Sequence, residues 1–87
     1  MSLVRVTWID AATHGGPGWV DLEDAKAFSE EPAPIMKTVG YYLHQDEDPI
    51  YGYVVITDTL GTDECASVHK IPNRMILHLD ICPEDAQ

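Results

Sequence analysis

The sequence predicts a small all-β domain, an SH3-like or Sm-like barrel of about five strands. Short runs with alternating apolar and polar residues recur along the chain, and hairpin-length links join most of them. No run of residues has a helical apolar pattern long enough for a helix of a bundle, and this favours a barrel or a compact sandwich. We expect residues 1–87 to form one domain, and its small core makes self-association into a homo-oligomer a natural expectation.

The first predicted strand covers approximately residues 3–9. Val4, Val6 and Trp8 share one face because strand side chains alternate, and Arg5 and Thr7 share the other. A glycine-rich loop follows over residues 11–18. It opens a long first connection with room for one short helical turn.

Residues 19–34 are the least regular part of the chain. Asp21 is a candidate cap for a short helix from Leu22 to about Ser29, with Asp24 in a weak capping-box position. One turn of helix, or none, fits this stretch equally well. The proline pair in residues 30–34 ends any helix there.

The remaining strands follow at short intervals. Gly40, inside the second of them, predicts a bulge, a sharp bend or the close approach of another backbone. The terse Ile-Pro-Asn link before the last strand is typical of SH3-like and Sm-like barrels, a likeness of topology that implies no activity. The predicted strands are Ile35 to His44, Ile50 to Thr57, Cys65 to Ile71, and Met75 to Ile81.

The charge balance is strongly acidic, with 15 Asp and Glu against 5 Lys and Arg and a formal net charge of −10. This composition argues against binding to a nucleic-acid backbone or an anionic membrane, since both need clustered cations. Solubility is the simplest interpretation, and an acidic face that meets a basic partner is the alternative.

The start of the chain lacks the basic and apolar segments of a signal peptide, and no apolar run reaches membrane-helix length. We therefore expect a cytoplasmic protein. Its two cysteines, Cys65 and Cys82, are expected to be free thiols in a reducing compartment, with a disulfide between them as the alternative.

Candidate catalytic and metal-binding patterns have low specificity. His44 with Asp46, and His78 with Asp80, place two ligand types on one strand face, but solvent-facing side chains explain them more simply. We predict no catalytic residue, metal ligand or cofactor, and a metal-dependent enzyme using these four residues is kept as a third hypothesis.

Aromatic residues are the better candidates for a binding site. Trp8, Trp19 and Tyr42 offer rigid stacking surfaces, and Arg5 or Arg74 offers a cation for an anionic group. The competing interpretation places Trp8 and Tyr41 in the core. For Trp19, which follows a flexible loop, a core role and a site role are evenly balanced.

Four segments are similar to a group of short bacteriophage proteins of unknown function. They are Val6-Thr7-Trp8-Ile9-Asp10-Ala11, Gly18-Trp19, Val39-Gly40-Tyr41-Tyr42-Leu43 and Ile71-Pro72-Asn73-Arg74-Met75-Ile76. The resemblance covers most of the chain and implies a phage or prophage origin in a bacterial cell. The group has no known activity to carry over; small phage accessory proteins in general often inhibit host factors or sequester immune signalling nucleotides as oligomers, which is an expectation for the class.

The leading functional hypothesis is a non-enzymatic accessory protein that holds a small polar or nucleotide-like ligand at a subunit interface, as a host-defence antagonist. The second is an acidic protein–protein inhibitor of a host factor. An uncharacterised structural or interaction domain is a further alternative.

Overall fold

The computed structural model describes residues 1–83 and confirms the small all-β fold. Five antiparallel strands form one sheet, and one short helix interrupts the first connection. The elements are β1 (Leu3–Ile9), α1 (Leu22–Glu30), β2 (Ile35–Asp46), β3 (Tyr53–Leu60), β4 (Cys65–Pro72), a 3-10 turn (Asn73–Met75) and β5 (Ile76–Cys82).

The strand order is β4-β3-β2-β1-β5, so the first strand pairs with both the second and the last. This is the order of an SH3-like barrel. Strands β4 and β5 lie at opposite ends of the strand order, yet side chains from all five strands meet in one core. The sheet is therefore strongly curled. The 3-10 turn spans this gap, and the Asn73 N–H donates to the Gly52 carbonyl at 3.0 Å.

The core is small and mostly β-branched. Its fully buried members are Val4, Val6, Val54, Ile56 and Ile71, and the partly buried Trp8, Tyr42, Ile76 and Leu79 pack against them. The predicted inward face of β1 is therefore confirmed. On β2 the core expectation was wrong: Tyr42, and not Tyr41, packs against the core, because β2 pairs Gly40 with Val4 and so turns the even-numbered positions inward.

Gly40 is the point where β2 bends. A Cβ atom placed there would lie 2.7 Å from the Thr57 carbonyl oxygen on β3, closer than any side chain tolerates. The pairing of β2 with β3 also shifts register between Tyr42 and His44. The predicted close approach of a second backbone is thus confirmed, and the absence of a side chain allows it.

The loop between β2 and β3 is held by Asp48 and Asn73. The N–H groups of Tyr51 and Ile50 donate to the Asp48 carboxylate and lower its pKa below the ordinary range, because they favour the charged form. The Asn73 side-chain amide donates to the carbonyls of Asp46 and Asp48 at 2.8 and 3.1 Å. This loop is therefore ordered against the end of β4.

Helix α1 begins and ends close to its predicted bounds, but its cap differs from the prediction. Asp21 is the N-cap residue in extended conformation, yet its side chain makes no capping hydrogen bond. The negative charges of Glu23 and Asp24 in the first turn favour the helix through its dipole. Among residues 1–83, no helix is long and apolar enough to cross a membrane.

Residues 10–34, which we call the protrusion, extend away from the sheet. The strands pack against one another, whereas α1 lies apart from them. The molecule measures 51 × 26 × 26 Å and has a radius of gyration of 16.8 Å. A compact chain of this length has a radius of gyration of about 12 Å. The elongated shape therefore arises from a segment that the core does not hold.

We expect Gly40→Ala to lower the free energy of unfolding by about 1–3 kcal/mol, because the new methyl group forces β2 and β3 apart. Urea unfolding of the purified chain measures this change. Gly16→Ala is the matched control, since a Cβ there meets nothing within 4 Å, and it should change stability by less than about 0.5 kcal/mol. Equal effects of the two substitutions would contradict the bend at Gly40.

Candidate functional site

Trp8 is a structural residue that is also partly accessible. Its ring packs against the core, and its indole Nε1–H donates to Thr38 Oγ1 on the neighbouring strand at 2.9 Å. The inward face of β1 places it there, and the hydrogen bond satisfies the one polar atom of the ring. Its donor is therefore already used within the chain.

The two predicted cations lie in different places. Arg5 is on the outward face of β1, where its Nη2 contacts Asp80 Oδ2 on β5 at 3.1 Å. Both side chains are about half exposed, so this pair contributes at most about 1 kcal/mol. Arg74 is exposed in the 3-10 turn, two residues before the position that pairs with Trp8.

Tyr42 lies in an apolar groove of about 260 Å³ at the end of the sheet opposite the protrusion. Its hydroxyl donates to Gln45 Oε1 at 3.5 Å, a long and weak hydrogen bond. The groove lies at the start of β1, between β2 on one side and the end of β5 on the other. It is lined by Ser2, Val4, Tyr42, Gln45, Leu79 and Ile81.

One chain does not bring the five predicted residues together. The Tyr42 N–H donates to the Ser2 carbonyl, whereas Trp8 pairs with Met36. Tyr42 and Trp8 are therefore six residue positions apart along the paired strands, which corresponds to about 20 Å of extended strand. Arg5 points to the opposite face from both aromatic rings, so a composite site needs more than one chain.

Trp19 is the most exposed aromatic residue in residues 1–83, with a relative accessibility of 105%. Its position in the protrusion excludes the core role that the sequence left open. Leu22, at 67%, and the partly exposed Val20 lie close to it in the chain. Large apolar side chains fully in water are unusual for a monomer and mark interaction sites when they are grouped.

The protrusion is nevertheless an organised unit. At its neck the Asp10 N–H donates to the Pro34 carbonyl at 3.0 Å. Further out, the His14 and Phe28 rings stack with centroids 5.1 Å apart. These contacts hold α1 against the loop before it, so Trp19 is presented from a folded element.

The protrusion is also strongly acidic. Residues 10–34 contain six carboxylates and one lysine, a formal charge of −5 that is half the charge of the whole chain. The carboxylates are Asp10, Asp21, Glu23, Asp24, Glu30 and Glu31. Trp19 and Leu22 are therefore apolar residues within an anionic surface.

The four candidate metal ligands do not form one set. His44 and Asp46 lie opposite Val55 and Tyr53 on β3, whereas His78 and Asp80 pair with β1. Within residues 1–83, no three His, Cys, Asp or Glu side chains are placed to hold a metal ion. Cys65 and Cys82 are free and lie on the two edge strands, β4 and β5.

Sequence reasoning missed Gln45, Leu79 and Ile81 as neighbours of Tyr42. The alternation of Leu79 and Ile81 on the last strand is visible in the sequence, but their position beside Val4 depends on the pairing of β5 with β1. That pairing joins the two ends of the chain and has no local signal.

Comparison with known proteins gives no match to a family model, to a curated protein or to a solved structure. The class that the fold and the surfaces define is therefore a small β domain with two separate candidate binding surfaces, the protrusion around Trp19 and the groove around Tyr42.

If Trp8 is structural, its indole donor and Thr38 should be energetically coupled. We expect Trp8→Phe and Thr38→Val each to destabilise the chain, and the double substitution to cost about 1 kcal/mol less than their sum. Urea unfolding of the four proteins measures this coupling. Thr13→Val, in the exposed loop, should instead be additive with Trp8→Phe; a coupling of zero between Trp8 and Thr38 would contradict their hydrogen bond.

Proposed function

We propose that this chain is a protein-binding module that docks through its acidic protrusion, with Trp19 as the anchor. The observation that carries the proposal is the complete exposure of the Trp19 side chain, in the loop that leads into α1. Such a module would act by occupying a surface on its partner protein. The phage origin and the host target stay predictions.

The apolar contribution of this anchor is large. Covering one indole removes on the order of 200 Å² from water, about 5 kcal/mol before the costs of association. Tryptophan is also enriched among the few interface residues that dominate binding free energy. Leu22 and Val20 extend the apolar contact around it.

The charge of the protrusion indicates the partner's chemistry. Carboxylates at Asp21, Glu23 and Asp24 follow Trp19 closely, so a matching surface has an apolar recess with lysine or arginine at its rim. Exposed charges of this kind accelerate encounter and are screened over about 8 Å at physiological salt. Binding should therefore weaken as salt is raised.

A photoreactive benzoylphenylalanine at position 19 tests the proposal in bacterial cells that produce the chain. We expect one or a few discrete cross-linked protein adducts, identified by mass spectrometry. The same probe at Thr62, exposed in the turn between β3 and β4, is the control and should give only background. Equal adducts at both positions, or none at position 19, would refute the proposal.

A second candidate function is the binding of a small planar ligand in the Tyr42 groove. Its volume suits a single ring system, and Tyr42 offers a stacking face with Gln45 as a polar neighbour. The six lining residues include no cation, which favours a neutral ring over a phosphate group. The nucleotide-like ligand expected from the sequence is therefore a base or a nucleoside without phosphate groups.

Adenosine and adenosine monophosphate are the probes for this second candidate. We expect adenosine to shift the NMR signals of Tyr42, Leu79 and Ile81, and the monophosphate to bind no better. Tyr42→Ala should abolish these shifts, whereas Tyr41→Ala, on the opposite face of β2, should leave them. Unshifted signals at millimolar adenosine, or equal effects of the two variants, would rule out such a site.

A further inference from the structure

We infer that the partner of the protrusion is a second copy of this chain, and that the outer face of the β5-β1-β2 part of the sheet receives it. This inference rests on the proposed function, because it names the protein that the protrusion binds. The outer face is formed by Arg5, Ile9, Ile35, Lys37, Val39, His78 and Asp80.

The outer face carries three exposed branched apolar side chains, Ile9, Ile35 and Val39. Cross-strand pairing places Ile9 beside Ile35 and Arg5 beside Val39, all pointing away from the core. Ile35 is 61% exposed and Val39 is 48% exposed. These apolar side chains are therefore available to a partner surface.

The charges of the outer face complement those of the protrusion. Arg5 and Lys37, two of the chain's five cationic residues, lie on this face. Asp80 is its only carboxylate among residues 1–83, and Arg5 already pairs with it. In the described part of the chain, Lys37 has no carboxylate partner on this face, and its positive charge complements a protrusion of charge −5.

The accessible surface area of the chain also favours an interface. The chain exposes 6688 Å², whereas a compact monomer of the same mass exposes about 5,100 Å². The excess, roughly 1,500 Å², is larger than the 800 Å² or so that each partner buries in a standard interface. The chain therefore exposes enough surplus surface for an interface of standard size.

Every copy carries both the protrusion and the outer face, so two copies can bind each other reciprocally. In a twofold dimer the protrusion of each copy would lie on the outer face of the other, and the same contact would form twice. The protrusion leaves the sheet from the Ile9 and Ile35 end through a hydrogen-bonded neck. Each chain would thus be both donor and acceptor of the contact.

A charge exchange tests the inference by sedimentation of the full-length chain across a range of concentrations. We expect the unaltered chain to form dimers. Lys37→Glu and the pair Glu23→Lys with Asp24→Lys should each weaken dimerisation by about tenfold or more. An equimolar mixture of the two variants should restore it, because the lysines introduced into the protrusion of one then meet the carboxylate introduced on the outer face of the other.

Two controls distinguish the loss of the dimer contact from misfolding of the chain. Arg74→Glu makes the same charge change as Lys37→Glu, outside both surfaces, and should leave the dimerisation constant unchanged. Trp19→Ala should weaken dimerisation by about thirtyfold, the effect of an interface anchor, with an unchanged circular dichroism spectrum. Recovery in the mixture also shows that both charge variants are folded.

The outcomes distinguish this inference from the proposed function. A chain that stays monomeric at every concentration, or a dimer that Lys37→Glu does not weaken, overturns the inference. If the probe at position 19 then cross-links a different protein, the proposed function stands with that partner. If position 19 gives no adduct of either kind, both fail together.

Discussion

The fold depends on the contact between two backbones at Gly40. Because Gly40 has no side chain, β2 can bend until the Thr57 carbonyl of β3 occupies the space of a Cβ. This close approach accompanies a core in which Val54 and Ile56 pack with Val4 and Val6. A flat sheet of the same strands would leave these residues in water, since curling is what encloses a core.

The core that results is too small to hold the whole chain. Five fully buried side chains, all valine or isoleucine, account for it, and the protrusion contributes none of them. The protrusion is kept in shape by its neck hydrogen bond and the His14–Phe28 stack. It therefore presents a folded apolar surface without adding to the stability of the sheet. Stability and binding are divided between two parts of one short chain.

The candidate site was only partly predictable. Trp19 could be singled out because a large aromatic residue directly after a glycine-rich loop either anchors that loop to the core or stands out as a contact surface. The choice between these two roles depends on the protrusion lying away from the sheet. Trp8 and Tyr42 were correctly recognised as prominent aromatics, yet their separation by six positions of β1 follows from the pairing of β1 with β2. Local pattern shows which side chains share a strand face, and it carries no information on which strands are neighbours.

The sequence by itself determined the all-β class, the shared face of Val4, Val6 and Trp8 on β1, the special position of Gly40 and the acidic character of the first connection, whereas it left the nine-residue helix there undecided. Each of these follows from local chemistry: alternation, the missing Cβ, and charge near a helix start. Only the tertiary structure decided that Tyr42 replaces Tyr41 in the core, that Leu79 and Ile81 form a groove with Tyr42, and that Arg5 and Lys37 share the outer face of the sheet. Those features depend on residues far apart in the chain, which meet only when β5 pairs with β1 and the sheet curls.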